Sequence, residues 1–192
     1  LYEDIRALKH DMGNHITVLE NLYLKKETTE IEKYLAELKS AWSESVAEIK
    51  TGNPVTDVIL TQKQKEAEEK EIDFRCKFMY PTDTGINAFD VSVILNNAIT
   101  NAFEGVNGCK NPYVSISAYR KKNAYMLELT NCISKRVEID DETGLPETTK
   151  KDKGSHGFGL ANIRKVAQKY YGDIDISQDE NNFTLTVMLM VE

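Results

Sequence analysis

Apolar residues recur at three- and four-residue steps at the start of the chain, at Ile5, Leu8, Met12, Ile16, Leu19 and Leu22. That period predicts an amphipathic helix from residue 1 to about 25, and Lys25-Lys26 suits its C-terminus. Thr29 and Glu32 have the T-x-x-E spacing of a capping box, so a second helix is expected to begin there. Its stripe runs through Ile31, Leu35, Leu38, Trp42, Val46 and Ile49. Two long helices with a short polar connection make an antiparallel hairpin over residues 1–50. Two narrow stripes alone give a thin core. The near-heptad spacing therefore favours pairing with a second copy into a four-helix bundle, with packing on the rest of the same chain as the alternative.

Thr51-Gly52-Asn53-Pro54 is the first sharp break, and residues 51–192 form the second expected domain. Asn53 can cap and Pro54 fits the first position of a helix running to about Lys70, whose later part reads as a solvated charge run. Ile72, Phe74, Cys76 and Phe78 then alternate with polar residues, as in a half-buried strand. A helix follows from about Phe89 to Gly105. Two strands, 113–119 and 125–130, flank a hairpin signal at Lys121-Lys122-Asn123. Residues 132–156 are polar, contain Gly144, Pro146 and Gly154, and have no clear period, which suits a lid-like loop. A last helix carries Leu160, Ile163, Val166, Ala167 and Tyr170 inward, with Gly172 expected as its C-terminal cap. Two alternating strands close the chain, through Ile174 and Ile176 and then Phe183, Leu185, Val187, Leu189 and Val191. The expected class is α+β: a two-helix hairpin followed by an antiparallel or mixed sheet covered on one face by helices.

Charge narrows the partners. With 24 basic and 31 acidic residues the net charge is −7, which argues against a general nucleic-acid or anionic-membrane surface. The three cysteines, Cys76, Cys109 and Cys132, are odd in number and show no C-x-x-C spacing, so zinc and a disulfide framework are disfavoured and a reducing, cytoplasmic setting is expected. No apolar run reaches the roughly 20 residues needed to cross a bilayer. The sequence opens inside a helical pattern at Leu1 and is expected to continue a longer protein, with any membrane attachment residing in a preceding sensor region.

Candidate chemistry lies on three segments. On a helical wheel at about 100° per residue, His10 and Asn14 each fall roughly 160° from the apolar stripe and one turn apart. Asp11 lies on the adjoining flank, and His15 lies at the stripe's edge, where a structural role is expected. A solvent-facing imidazole is a competent nucleophile when neutral, which its ordinary pKa near 6.5 allows. Asp11 could orient the ring proton, and Asn14 could orient a water.

On the helix near residues 89–105, Val91, Leu95, Ala98 and Ala102 form the apolar side. Asp90, Asn97, Asn101 and Glu104 share an arc of about 60° beside it. This oxygen-rich strip suits Mg²⁺ held through a nucleotide, which prefers oxygen ligands. The third segment is Gly154-Ser155-His156-Gly157-Phe158-Gly159-Leu160, at a loop-to-helix junction. Glycines permit close backbone approach, the helix N-terminus offers free N–H groups to a phosphate, and Lys150, Lys151 and Lys153 add cationic charge upstream.

These residues match a known pattern. Leu8-Lys9-His10-Asp11-Met12-Gly13-Asn14 resembles the H-D-x-x-N phospho-acceptor box of sensor histidine kinases, closest to the branch that includes the Agr-like peptide-pheromone receptors. Asn97-Ala98-Ile99-Thr100-Asn101-Ala102-Phe103-Glu104 resembles that family's N box, and His156-Gly157-Phe158-Gly159-Leu160-Ala161-Asn162-Ile163 its second glycine box. Each box alone is weak; the three in this order and separation are specific, and they span nearly the whole chain. The resemblance implies a GHKL nucleotide-binding sandwich, the Bergerat fold. It implies that Asn97 and Asn101 face the phosphates and Mg²⁺ of ATP, and that Gly157 and Gly159 cradle the phosphates. It further implies that a homodimer phosphorylates His10 and passes the phosphoryl group to an aspartate of a response regulator. Asp11 would then assist transfer, and Asn14 would assist dephosphorylation.

Most members of the family carry Asp-x-Gly-x-Gly after the strand ending near Thr130, where the aspartate holds the adenine amino group. Here Asn131 stands nearest and no glycine pair follows, a departure shared by the Agr-like branch. Asn131 can still accept from that amino group, but without charge. Two other readings stay open: a non-catalytic dimeric scaffold with a degenerate pocket, and a GHKL ATPase or serine kinase whose hairpin is only structural. For His10 to reach a nucleotide the hairpin must move, and a hinge is expected near residues 51–54.

Overall fold

The structure, a computed structural model, describes residues 2–40, 49–140, 142–146 and 159–191; for residues 2–12 and 38–40 it describes the backbone alone. The chain divides into two compact units, Leu1–Ser45 and Val46–Glu192.

The first unit holds α1 (Tyr2–Leu24) and α2 (Thr28–Ser40). α1 ends where Lys26 adopts a left-handed φ of 57°. Glu27 N–H then donates to Leu22 O at 3.0 Å and Lys26 N–H to Tyr23 O at 3.0 Å, the paired bonds of a Schellman stop. α2 begins earlier than the T-x-x-E spacing suggests: Ile31 N–H donates to Glu27 O, so Thr29 stands inside the first turn instead of capping it. The helices touch through His15, whose Nδ1 lies 2.7 Å from the Tyr34 hydroxyl. His15 is thus a structural residue, as expected from its place at the stripe's edge.

The second unit is built on a five-stranded sheet in the order β1-β2-β3-β5-β4. The strands are β1 (Asp73–Lys77), β2 (Tyr113–Lys121), β3 (Ala124–Cys132), β4 (Asp173–Gln178) and β5 (Asn182–Met190). β1 pairs with β2 in parallel, and every other pair is antiparallel. Three helices cover one face: α3 (Pro54–Glu69), α4 (Ala88–Gly105) and α5 (Gly159–Lys169). α4 lies in the middle, in contact with α3, α5, β2 and β3. Leu60, Ile94, Leu95, Ile99 and Ile163 from the helices meet Val114, Ile116, Leu127, Leu129, Leu185 and Leu189 from the sheet, all essentially removed from water. Burying each such side chain contributes about 1.5–3 kcal/mol. Alternation along the strands, read in the sequence, selects this inward set.

The start of this unit is tied down more firmly than its break-rich sequence suggests. Asn53 Oδ1 accepts from the N–H groups of Val55 and Thr56, capping α3. The Thr51 N–H and hydroxyl both donate to Asp57 Oδ1 at 2.6 Å, Thr51 O accepts from Tyr80 N–H, and the Thr51 side chain is fully buried. Donation from Thr51 holds the Asp57 carboxyl below its ordinary pKa. Ile49 N–H donates to Thr61 Oγ1. The expectation of a hinge at residues 51–54 therefore does not hold: pivoting there would break four hydrogen bonds to Thr51 and Ile49 at once.

The charge run on α3 is only partly solvated. Ala67 is buried, and Lys63 crosses to α4, donating to Glu66 and to the Thr100 hydroxyl while lying 5.8 Å from the Phe103 ring centre. The long polar loop is anchored over its first part. Gln178 exchanges two hydrogen bonds with the Val137 backbone, Asp140 Oδ1 accepts from the N–H groups of Glu142 and Thr143, and Ile139 bridges to Pro146. Arg164 of α5 donates to Thr143 O at 2.6 Å and lies 3.3 Å from Asp173.

α5 also stops in a Schellman turn, in which Gly172 N–H donates to Ala167 O and Tyr171 N–H to Gln168 O. The left-handed residue is Tyr171, at φ 52°, and not Gly172. Gly172 is required for a different reason: a methyl group there would stand 1.8 Å from Met188 O of β5.

Candidate functional site

The junction of α4 and α5 brings two of the three sequence segments together. α4 is capped by Asn87, whose side chain accepts from Phe89 N–H. The helix buries Val91, Ile94, Leu95, Ala98, Ile99 and Ala102, leaving Asn97 and Asn101 half-buried at its flank. Asn97 Nδ2 donates to Val93 O at 2.8 Å, which turns its Oδ1 outward from the helix. α5 starts at Gly159 directly against these carboxamides. A methyl group on Gly159 would lie 3.1 Å from Asn101 Nδ2, 3.3 Å from Asn101 Oδ1 and 3.4 Å from Asn97 Oδ1. Only a residue without Cβ keeps this approach relaxed. Among the described residues, the Asn101 carboxamide and Asn97 Oδ1 have no hydrogen-bond partner. Two amide oxygens therefore stand beside a helix N-terminus, where unsatisfied backbone donors and positive partial charge gather.

Farther along α4, Gly105 packs on Asn131 of β3. A methyl group at Gly105 would meet Asn131 Nδ2 at 2.8 Å. Asn131 is 3% exposed, and its Nδ2 donates to Cys132 O at 2.8 Å. That bond fixes which end of the amide is the acceptor, and Oδ1 finds no partner among the described residues. That oxygen is free to accept from a ligand or water. The sequence did not single out Gly105; its only signal was a glycine in the last turn of an otherwise well-formed helix.

The other expected residues fall as follows. Leu160 is half-buried and packs on the core beside Gly159. Glu104 is exposed and lines an open cleft of about 490 Å³ between α3 and α4, with Glu66, Lys70 and Thr100. It thus looks toward α3, away from Gly159. A second cleft of about 610 Å³ runs beside β1 past Lys70, Arg75 and Tyr113, and neither cleft includes Asn97, Asn101, Asn131 or Gly159. Asn14 is exposed on α1. The backbones of His10 and Asp11 belong to α1, while their side chains, together with Lys150, His156 and Gly157, lie outside the described residues.

Asp90 departs from the expectation. It shares the angular arc of Asn97 and Asn101 yet is buried away from them, accepting from Lys169 Nζ at 2.6 Å and from the Tyr170 hydroxyl. Burial pushes its carboxyl up, but donation from Lys169 and Tyr170 outweighs this and holds its pKa below the ordinary value. Burial pushes the Cys76 thiol up, and burial with contact to Cys132 pushes Cys109 up to about 11.

A two-layer mixed sheet whose central helix offers paired asparagines to a glycine-started helix is the arrangement of the GHKL nucleotide-binding class. Residues 86–190, more than half of the chain, match the GHKL domain family, and the chain belongs to it. Solved structures share the fold. The nucleotide-free catalytic domain of histidine kinase ThkA is 17% identical, with a TM-score of 0.58 covering 77% of this chain and 97% of that one. Acinetobacter baumannii histidine kinase AdeS is 14% identical, with a TM-score of 0.54 over 95% and 98% of the two chains. A histidine kinase from Burkholderia phymatum is 14% identical, with a TM-score of 0.53 over 98% and 91%. At these identities the likeness is one of fold. Comparison with curated proteins finds no match. Among the described residues, no helix is long and apolar enough to cross a membrane.

Proposed function

We propose that the chain is the kinase portion of a sensor histidine kinase of the Agr-like branch, in which a nucleotide-binding sandwich phosphorylates His10 and the phosphoryl group passes to a response-regulator aspartate. The observation that carries this reading is the contact of Gly159 with Asn97 and Asn101. It joins two sequence boxes that lie more than fifty residues apart.

Each residue then has a task set by its surroundings. Asn131 offers one amide oxygen, which can accept from the exocyclic amino group of adenine and would oppose the carbonyl of guanine. Gly159 lets a phosphate reach the first N–H groups of α5, and Gly157 extends that backbone surface. Asn101, seconded by Asn97, supplies uncharged oxygen for Mg²⁺. Magnesium, when bound, neutralises charge on the triphosphate. Lys150 and His156 add positive or polar contacts from the loop, and Leu160 backs the turn from the core side. Glu104, which faces α3 on the other flank of α4, is left without a part in holding the nucleotide. At His10 a ring nitrogen forms a bond to phosphorus as the bond to the ADP oxygen breaks, with Asp11 holding the ring proton. Asn14 would orient water for the reverse hydrolysis.

A homodimer completes the reading. Ile16 and Leu24 are 53% and 77% exposed, and no described side chain of the hairpin is buried, as suits half of a four-helix bundle. A membrane sensor region preceding the chain belongs to the same proposal.

The experiment is incubation with γ-labelled Mg-ATP. The reading expects acid-labile, base-stable label that disappears in His10→Gln. Label on serine, or hydrolysis indifferent to His10, would instead favour a GHKL serine kinase or ATPase. No label and no nucleotide binding would favour a scaffold.

A further inference from the structure

We infer that Asp90 is a positioning residue for the phosphate end of the nucleotide site, acting through α5 from the opposite end of the helix pair. The inference rests on the nucleotide-binding reading above.

α4 and α5 run antiparallel. The start of α5, Gly159, meets Asn97 and Asn101, and its far end, Lys169 and Tyr170, meets Asp90. The two helices are in contact along their lengths, and Ala98 and Ala102 of α4 and Ile163 and Ala167 of α5 are all buried. Small aliphatic surfaces allow close approach but resist sliding weakly, because no directional bond opposes a shift along the axis. The polar end supplies that direction. One carboxylate oxygen, Asp90 Oδ2, accepts from both Lys169 Nζ and the Tyr170 hydroxyl. That hydroxyl in turn accepts from Asn87 N–H at 3.0 Å, at the cap of α4.

The α5 end of the latch is itself fixed to the sheet. Met190 N–H donates to Tyr170 O at 2.9 Å, and Gly172 is pressed against the β5 backbone. Asp90 therefore references α4 to an anchored point. About 15 Å away along the pair, at 1.5 Å per residue, that reference decides how the two carboxamides meet Gly159. Their clearances at Gly159, 3.1–3.4 Å to a Cβ position, leave little room for axial drift. The base-reading residue, Asn131, is held from the sheet by β3, where its Nδ2 donates to Cys132 O, and it touches α4 only at Gly105. Loss of the latch should thus weaken recognition of the phosphates while sparing that of the base.

The test compares the unaltered chain with Asp90→Asn and Tyr170→Phe. Dissociation constants for Mg-ATP and for adenosine are measured by calorimetry well below the melting temperature of each protein. The expected result is a roughly tenfold weaker Mg-ATP affinity for Asp90→Asn, a smaller loss for Tyr170→Phe, and adenosine binding within about twofold in both, tenfold corresponding to about 1.4 kcal/mol. Unchanged Mg-ATP affinity in both variants would overturn the inference. So would equal losses for Mg-ATP and adenosine that track the fall in melting temperature, since a merely structural role would produce them. Failure of the unaltered chain to bind either ligand would sink the nucleotide reading itself, a result visible before any variant is made.

Discussion

In the sandwich, Leu60, Ile94, Leu95 and Ile99 are fully enclosed, whereas in the hairpin no described side chain is buried, and Tyr23 and Leu24 are 75% and 77% exposed. The two units have similarly regular helices, so regular periodicity alone does not make a core. The sandwich closes two layers on each other and gains the burial of both. The hairpin presents one stripe with a partial partner, and in proteins most helical stability comes from packing an amphipathic face. Among the described residues the second unit carries its own core, and the first has none of comparable burial.

The comparison can be broken most sharply by truncating one side chain in each unit. Ile94→Ala should cost about 4 kcal/mol in urea unfolding of the sandwich. Ile16→Ala should leave that transition within about 0.5 kcal/mol and instead raise the concentration needed for dimerisation in sedimentation experiments. Equal effects on one transition would mean that the units fold as a single body.

A step down in size, Gly105→Ala should displace Asn131 and weaken ATP binding about tenfold, while alanine's better helix propensity, about 1 kcal/mol, offsets the crowding in the stability measurement. The same loss is expected in a chain cut to residues 46–192, because Gly105 and Asn131 both lie in the sandwich. Unchanged affinity would remove Asn131 from the site.

Acid titration separates the units further. The Asp90 pKa is depressed in the folded state, so its contribution is present above the unfolded value near 3.9 and lost as pH falls through the folded one. The Lys169 pKa is raised by the hydrogen bond to Asp90, so its contribution holds below about 10.4 and fades as pH climbs through the folded value. The stability gap between wild type and Asp90→Asn, about 1 kcal/mol for a half-exposed pair, should be full at pH 7 and close below pH 4. A gap that persists at pH 2 would show that packing, not charge, is at stake.

The smallest effect concerns the helix stops. Glu71 ends α3 with a left-handed φ of 55°, as Lys26 ends α1 at 57°. Glu71→Gly should stabilise the sandwich by about 0.5–1 kcal/mol, by relieving the Cβ penalty of that conformation. Lys26→Gly should leave the sandwich melting temperature unmoved.

Periodicity located the elements of the sandwich because a half-buried strand or helix must repeat its apolar residues at its own pitch. The inward set of β5, Leu185, Val187 and Leu189, was legible for that reason. The meeting of Asn97 and Asn101 with Gly159 was suggested only by resemblance, since no local rule brings residue 159 to residue 101. Asp90 was misplaced because a wheel carries an angle and no height: it shares the arc of Asn101 but sits about 16 Å away along the axis. The glycine at position 172 was visible as a stop, yet its need comes from the β5 backbone, which a pattern confined to α5 does not contain. Thr51 read as part of a flexible break, and its buried bonds to Asp57 and Tyr80 depend on where those residues come to lie.

The order of the strands bears on how the chain comes into being. β5 follows β4 in the polypeptide but lies between β3 and β4, so β4 has no strand beside it, and β3 only β2, until residues 182–190 are made. At synthesis rates of roughly 5–20 residues per second, the unfinished sheet stays open until almost the last of these residues leaves the ribosome. A message cut short before that point would yield a polypeptide whose β1-β2-β3 part lacks its last two strands and leaves the α5 side of the helical layer uncovered, a ready substrate for chaperones and proteases.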